Sequence, residues 1–296
     1  MQLNKIYNGD ALDVLKTFPD ECVDMVITSP PYWALRDYGA EGQLGLESTF
    51  QEYINKLCDI FDEVKRVLKK SGSCWVNLGD AYSGSGKGVG GIKSKSLLQI
   101  PSRFAIEMCN RGWILRNEII WHKPNAMPQS VRDRFTVDFE KLFFFTKSKK
   151  YYFKQQKEQM KTNQVCGNST RHHSRKVSLN KGLRKQDNVG RMDYTGFNDR
   201  YKPPKDLLRN KRCVWSVSTK PFKDAHFATF PKELIITPIK ACCPTNGIVL
   251  DPFMGSGTTA LVAKELGLNY IGIELNEEYI KMAEKRLAQM NIFEFI

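Results

Sequence analysis

No stretch of the 296 residues approaches the roughly 20 consecutive apolar positions that a bilayer span requires. The opening MQLNKIYNGDALDVL alternates polar and apolar residues too closely for the apolar segment of a secretory leader. Both absences predict a cytoplasmic protein without a membrane partner. The eight cysteines, at 22, 58, 74, 109, 166, 213, 242 and 243, form no CxxC pair, and the four histidines show no zinc-like spacing. Neither a metal nor a disulfide is expected, and Cys58 and Cys109, set in apolar runs, read as small buried hydrophobes. A Walker A loop and the GxGxxG dinucleotide pattern are both missing, which disfavours a phosphate-rich nucleotide as ligand. There is no internal repeat.

What the chain has in excess is positive charge, a net of +13 with a pI near 9.3. Residues 151–212 hold sixteen Lys/Arg against five Asp/Glu, a net of +11, while the rest of the chain is almost balanced. A charge excess concentrated in one segment points to a polyanionic partner. A hydrophobic content of 41% supports one sizeable core, or one core plus a small insertion.

Outside 151–212, strand-like and helix-like segments alternate. Val23–Thr28 is an apolar run ended by Pro30-Pro31 and reads as a buried strand. Thr49 and Glu52 form a capping-box pattern ahead of Ile54, Leu57, Phe61, Val64 and Leu68 at helical spacing, with Gly72 as the expected stop. Further strands are expected at Ser73–Leu78, Trp113–Trp121 and Lys141–Thr146, a loop over Tyr82–Ser96, and a helix near Ile100–Arg111. Toward the C-terminus, Ile248–Asp251 and Tyr270–Glu274 read as strands and Thr258–Leu266 as a helix capped by Gly267. A last helix opens at Asn276 and carries Ile280, Ala283, Leu287 and Met290 on one face. Alternating strands and helices predict an α/β domain with a mostly parallel sheet. The stretch 151–212 shows no period and is too long for an ordinary loop, so it reads as an inserted small domain or arm.

Two segments carry chemistry. In Val249–Thr259 (VLDPFMGSGTT) a strand ends at Asp251, and Gly255 and Gly257 open a helix. Glycines there admit a ligand close to the backbone, and the helix start offers unpaired N–H groups. Glu274, ending the next strand, is placed to hold ribose hydroxyls. The order predicts a nucleoside-type cofactor. In Thr28–Trp33 (TSPPYW) two prolines remove two N–H donors and stiffen a turn at a strand's carboxyl end. The turn is rich in acceptors and is followed by two aromatic rings. An aromatic amine is a poor nucleophile because its lone pair is delocalised. Ser29 and the Pro30 carbonyl can accept its two N–H bonds and favour a pyramidal nitrogen, while Tyr32 stacks on the base. A rigid corner packed against aromatics is the competing reading of Ser29, Pro30, Pro31 and Tyr32 taken alone.

TSPPYW near the N-terminus and DPFMGSGTT near the C-terminus, with a basic segment between, resemble the permuted β class of the DNA amino-methyltransferases. The resemblance covers nearly the whole chain and is least specific in 151–212. It implies a Rossmann-like methyltransferase fold with a seven-stranded sheet and S-adenosyl-L-methionine as cofactor. It also implies a catalytic half over 1–150, a target-recognition insertion over 151–212 and a cofactor-binding half over 213–296. Carried onto this chain, it assigns Asp251, Phe253, Gly255 and Gly257 to the methionine end, Glu274 to the ribose, and Ser256, Thr258, Thr259 and Leu275 to the cofactor site. Asp10 and Ala11 fall to the adenine, and Thr28 and Phe230 to the cofactor pocket, the last from the looser match His226–Pro231. The implied substrate is a base flipped from double-stranded DNA. The motif's opening serine favours cytosine N4 over adenine N6. C5 methylation is disfavoured because no Pro-Cys pair occurs; Cys242-Cys243-Pro244 has the reverse order. Direct transfer without a covalent intermediate is therefore expected.

Candidate DNA contacts are Trp33, Lys87, Lys93, Lys95, Arg171, Arg175, Arg184 and Arg191, each weighed against an ordinary solvated surface role. A cognate restriction endonuclease is the candidate protein partner, and a monomer or homodimer the expected state. An RNA or protein-glutamine methyltransferase is disfavoured because the Pro-Pro motif precedes the glycine turn. A non-catalytic DNA-binding subunit is disfavoured because both motifs are intact.

Overall fold

The computed structural model describes residues 1–34, 39, 42–84, 91–160, 208–219 and 230–293. Two compact units emerge, one of 1–154 with 212–296 and one of Gln155–Lys211. The first is built on a sheet of eight strands: β1 (Lys5–Asn8), β2 (Val23–Thr28), β3 (Leu68–Leu78), β4 (Ile114–His122), β5 (Phe139–Thr146), β8 (Val214–Ser216), β9 (Ile248–Asp251) and β10 (Asn269–Glu274). Of the second unit, the described residues include β6 (Lys157–Gln159) paired antiparallel with β7 (Leu208–Asn210).

The sheet order is β1-β10-β9-β2-β3-β5-β4-β8, with β5 antiparallel to both neighbours and the other pairs parallel. Eight strands are present where seven were expected; β8 is a three-residue strand added along β4. Helices cover both faces. On one lie α1 (Ala11–Lys16), α2 (Phe50–Val67) and α3 (Ile100–Asn110), whose Leu15, Tyr53, Leu57, Phe61 and Phe104 share a buried core with Val23 and Val26. On the other lie α4 (Lys232–Cys242), α5 (Thr258–Glu265) and α6 (Glu277–Phe293), whose Leu234, Val262 and Ala283 share a second buried core with Met25 and Ile27. Successive β2 side chains point to opposite faces and both are buried, so the strand reads as a continuous apolar run.

Local chemistry explains most element ends. The Thr49 hydroxyl accepts from the Glu52 N–H (3.1 Å) to start α2, and the Glu52 carboxylate accepts from Ser48 Oγ (2.7 Å). Asn276 Oδ1 accepts from the Glu278 N–H (2.9 Å), and α6 buries Ala283 and Leu287 as the spacing predicts. Gly267 follows α5 at φ +67°, with the Leu268 N–H reaching the Ala263 carbonyl (2.9 Å). Gly72 is a correction. It ends no helix: α2 passes directly into β3 at Leu68, and Gly72 lies inside the strand. A Cβ there would come within 2.5 Å of the Leu68 side chain and 2.9 Å of the Asp24 carbonyl, so glycine is needed by the sheet. Cys58 is buried as expected, but Cys109 is exposed near the end of α3. Among the described residues no helix is long and apolar enough to cross a membrane.

Candidate active site

β2 and β9 are hydrogen-bonded neighbours, Met25 opposite Val249 and Val26 opposite Leu250, so the two motifs end side by side. One carboxylate joins them. Asp251 is 1% exposed. Its Oδ1 accepts from Thr28 Oγ1 (2.5 Å) and the Phe253 N–H (3.0 Å), and its Oδ2 from Thr259 Oγ1 (2.6 Å). Burial pushes its pKa up to about 6, against the lowering effect of these hydrogen bonds. Thr28 and Thr259 are fully buried, and both hydroxyls donate to Asp251.

The glycine turn follows. Gly255 has φ +51°, and a Cβ added there would meet nothing within 4 Å, so the backbone lies open to an approaching ligand. Gly257 has φ +83°, and a Cβ would lie 2.7 Å from the Ala283 Cβ, so it serves close packing of α5 on α6. α5 starts with no side-chain cap. Glu274 Oε2 accepts from the Gly255 N–H (2.7 Å) and Oε1 from the Asn276 N–H (2.9 Å), and burial raises its pKa. Ser256, 4% exposed, accepts from the Arg286 guanidinium (2.9 Å), and Thr258 is 6% exposed beside it. Phe253 and Phe230 are half-buried against opposite core faces. The Leu275 carbonyl accepts from the Asn8 amide (3.2 Å). Asp10 caps α1, its Oδ1 accepting from the Leu12 (2.9 Å) and Asp13 (3.1 Å) N–H groups, and Ala11 packs into the core.

At the end of β2 the Pro-Pro-Tyr corner is half-buried. The Pro31 carbonyl accepts from the Tyr53 hydroxyl (2.8 Å), which fixes the turn. The Tyr32 hydroxyl donates to Glu140 Oε2 (2.7 Å) and lies 3.2 Å from Asn77 Oδ1; Ser29 Oγ lies 3.4 Å from both the Tyr32 hydroxyl and Asn77 Oδ1. Lys123 Nζ pairs with the other Glu140 oxygen. Burial, reinforced by the Glu140 charge, holds the Tyr32 phenol well above its usual pKa, so it stays a neutral donor. A Cβ on Gly79 would come within 2.5 Å of the Tyr32 ring, so that glycine makes room for it. Asn77, Gly79, Lys123 and Glu140 escape the motif reading. They come from the ends of β3, β4 and β5 that the sheet brings to the same edge.

Trp33 is 8% exposed, its Nε1–H donates to the Glu47 carbonyl (3.0 Å) and its ring packs edge-on against Phe50, so it packs with the core. Lys93 is exposed, and Lys95 pairs with Asp133 (2.8 Å). Lys87, Arg171, Arg175, Arg184, Arg191 and His226–Thr229 lie outside the described residues.

An open sheet with an acceptor-rich corner beside a glycine turn defines a Rossmann-like methyltransferase. The DNA methylase family matches residues 23–285, and the chain belongs to that family: it is a DNA methyltransferase, with S-adenosylmethionine as methyl donor. It is 40% identical to the Type II methyltransferase M.Cfr9I of Citrobacter freundii, over 95% of this chain and 87% of that one. With M.SmaI of Serratia marcescens it shares 37%, over 96% and 91%. The fold is similar to that of the cytosine-N4-specific PvuII DNA methyltransferase, with a TM-score of 0.64 and 22% identity, over 95% of this chain and 84% of that one. A putative DNA modification methylase of Thermus thermophilus, solved with S-adenosyl-L-methionine, aligns with a TM-score of 0.59 and 23% identity, over 96% and 94%.

Proposed function

We propose that the protein is a site-specific, Type II modification enzyme that methylates cytosine N4 of a flipped base in double-stranded DNA. The carrying observation is the corner itself. Ser29 Oγ stands with Asn77 Oδ1 and the Tyr32 hydroxyl at the strand end, beside a Pro-Pro turn that has no N–H to offer. An incoming amine thus meets acceptors and finds few competing donors. Pro31's carbonyl is already taken by Tyr53, so Ser29 Oγ and the Pro30 carbonyl are the pair that receives the two N–H bonds. Glu140, fixed by Lys123, anchors the Tyr32 hydroxyl and so holds the ring in place against the base.

The cradle fits S-adenosylmethionine. Gly255 leaves the space a Cβ would fill, the buried Asp251 braces the turn from behind, Glu274 is the carboxylate for the ribose hydroxyls, and α5 offers uncapped N–H groups to a carboxylate. Asp10 and Leu275 flank the adenine side. When bound, S-adenosylmethionine supplies an electrophilic methyl group. No covalent enzyme intermediate is needed. Burial raises the Cys242 and Cys243 thiols to about 11 and about 12, which keeps them as neutral thiols at neutral pH. Gln155–Lys211 and the wider basic stretch are the target-recognition element, and a nuclease cutting the same sequence is the natural partner.

Methylation-sensitive sequencing of DNA from cells expressing the chain tests this reading. N4-methylcytosine at one sequence motif is expected, lost in Ser29→Ala and Tyr32→Ala. N6-methyladenine would overturn the choice of base; unmodified DNA, or full activity in both variants, would overturn the mechanism.

A further inference from the structure

The connection from β4 to β5, residues 123–138, is far longer than two antiparallel neighbours require. It leaves the sheet where the Lys123 N–H donates to the Asp138 carbonyl (2.7 Å). Two residues further on, Glu140 holds Tyr32, so the connection rises from the edge of the active site. It is fastened along its length. Asn125 accepts from the Thr219 N–H (2.9 Å) and donates to the Thr219 carbonyl (2.9 Å). Asp133 pairs with Lys95 (2.8 Å). The Arg134 guanidinium lies 3.9 Å from the Tyr82 ring centroid and donates to Gln129 Oε1 (2.8 Å).

On this pinned connection Phe135 is 96% exposed and Met127 is 84% exposed. A scattered exposed apolar side chain needs no explanation. An aromatic held almost wholly in solvent, between fastened neighbours and next to Arg132 and Arg134, at the edge of a site that acts on a base, calls for one. Flipping a nucleotide leaves a gap in the stack, and DNA-bending proteins show that apolar side chains can insert between base pairs while basic residues hold the backbone. Because the connection is already ordered, insertion costs little further ordering.

We propose that Phe135 is a wedge that enters the duplex beside the target pair and occupies the space the flipped nucleotide vacates, with Met127 as a second apolar contact. This rests on the DNA amino-methylation reading above. The test is single-turnover methylation on two duplexes of the mapped sequence, one with the target base paired and one with the target facing an abasic position, where flipping is cheap. Phe135→Ala should be about tenfold to a hundredfold slower on the paired duplex. On the abasic duplex it should return to the wild-type rate, with S-adenosylmethionine affinity unchanged by calorimetry. A variant as fast as wild type on the paired duplex, or equally slow on both, overturns the wedge. A wild-type protein inactive on both overturns the methylation reading and the wedge with it.

Discussion

Asp251 is where residue-scale chemistry has the clearest consequence. Its carboxyl is buried with two hydroxyls and one amide N–H, and its pKa rises from 3.8 to about 6. Between those values the folded state binds more protons than the unfolded chain, so stability from this group falls as pH rises through the window. Above pH 6 the penalty is constant, on the order of 3 kcal/mol for a shift of roughly two units. Asp251→Asn keeps the shape and cannot ionise. Relative to wild type, its melting temperature should rise between pH 4 and pH 7 and then level off; parallel curves for the two proteins would contradict the burial argument. The sequence marks Asp251, Ser29 and Tyr32 because each sits in a short local motif. It gives no sign of Asn77 or Glu140, which reach Tyr32 across 45 and 108 residues through strand register alone. Nor does it show that Trp33 is buried. It adjoins the motif, but the chain turns at Ala34 (φ +54°) and sends the ring inward to Phe50.

Among the elements, the turn between β9 and α5 separates two jobs that its glycines share in sequence. Gly255 borders open space and Gly257 borders Ala283. Alanine at either position carries a left-handed backbone cost of roughly 1–2 kcal/mol. Gly257→Ala adds an overlap with the Ala283 methyl and should lose about 1–3 kcal/mol more in urea unfolding. Gly255→Ala should unfold at a urea concentration nearer wild type yet bind S-adenosylmethionine at least about tenfold more weakly, since its methyl occupies the cradle. Equal destabilisation with unchanged binding at Gly255 would remove that residue from the cofactor site. Here the alternation of strand, turn and helix was readable because each element carries its own period and cap. The β2–β3 register was not. Val23 pairs with Leu68 and Met25 with Ser73, so the chain bulges between them, and only the folded sheet shows that Gly72 is pressed between Leu68 and Asp24.

At the scale of the whole molecule, the first and last thirds of the chain interleave. β1 lies beside β10, and Thr28 grips Asp251 from 223 residues away, so neither end forms the site alone. The basic segment, by contrast, closes on itself. β6 pairs with β7, and the Lys211 N–H donates to the Gln156 carbonyl (3.0 Å), so Gln155–Lys211 starts and ends at one point. Replacing that segment with a short Gly/Ser linker should therefore leave the α/β unit folded and able to bind S-adenosylmethionine. DNA binding should respond differently. The segment carries fourteen basic and five acidic residues, a net of +9, out of +13 for the chain. Each phosphate contact contributes about 0.9 to the slope of log affinity against log salt, so the excised protein should bind DNA weakly and with a slope shallower by several units. Site-specific methylation should vanish at the same time, because phosphate contacts through Lys93 or Arg132 can attract DNA but carry no sequence information. An excised protein that still methylates the same motif would move target recognition into the α/β unit; one that no longer binds cofactor would make the segment part of the fold.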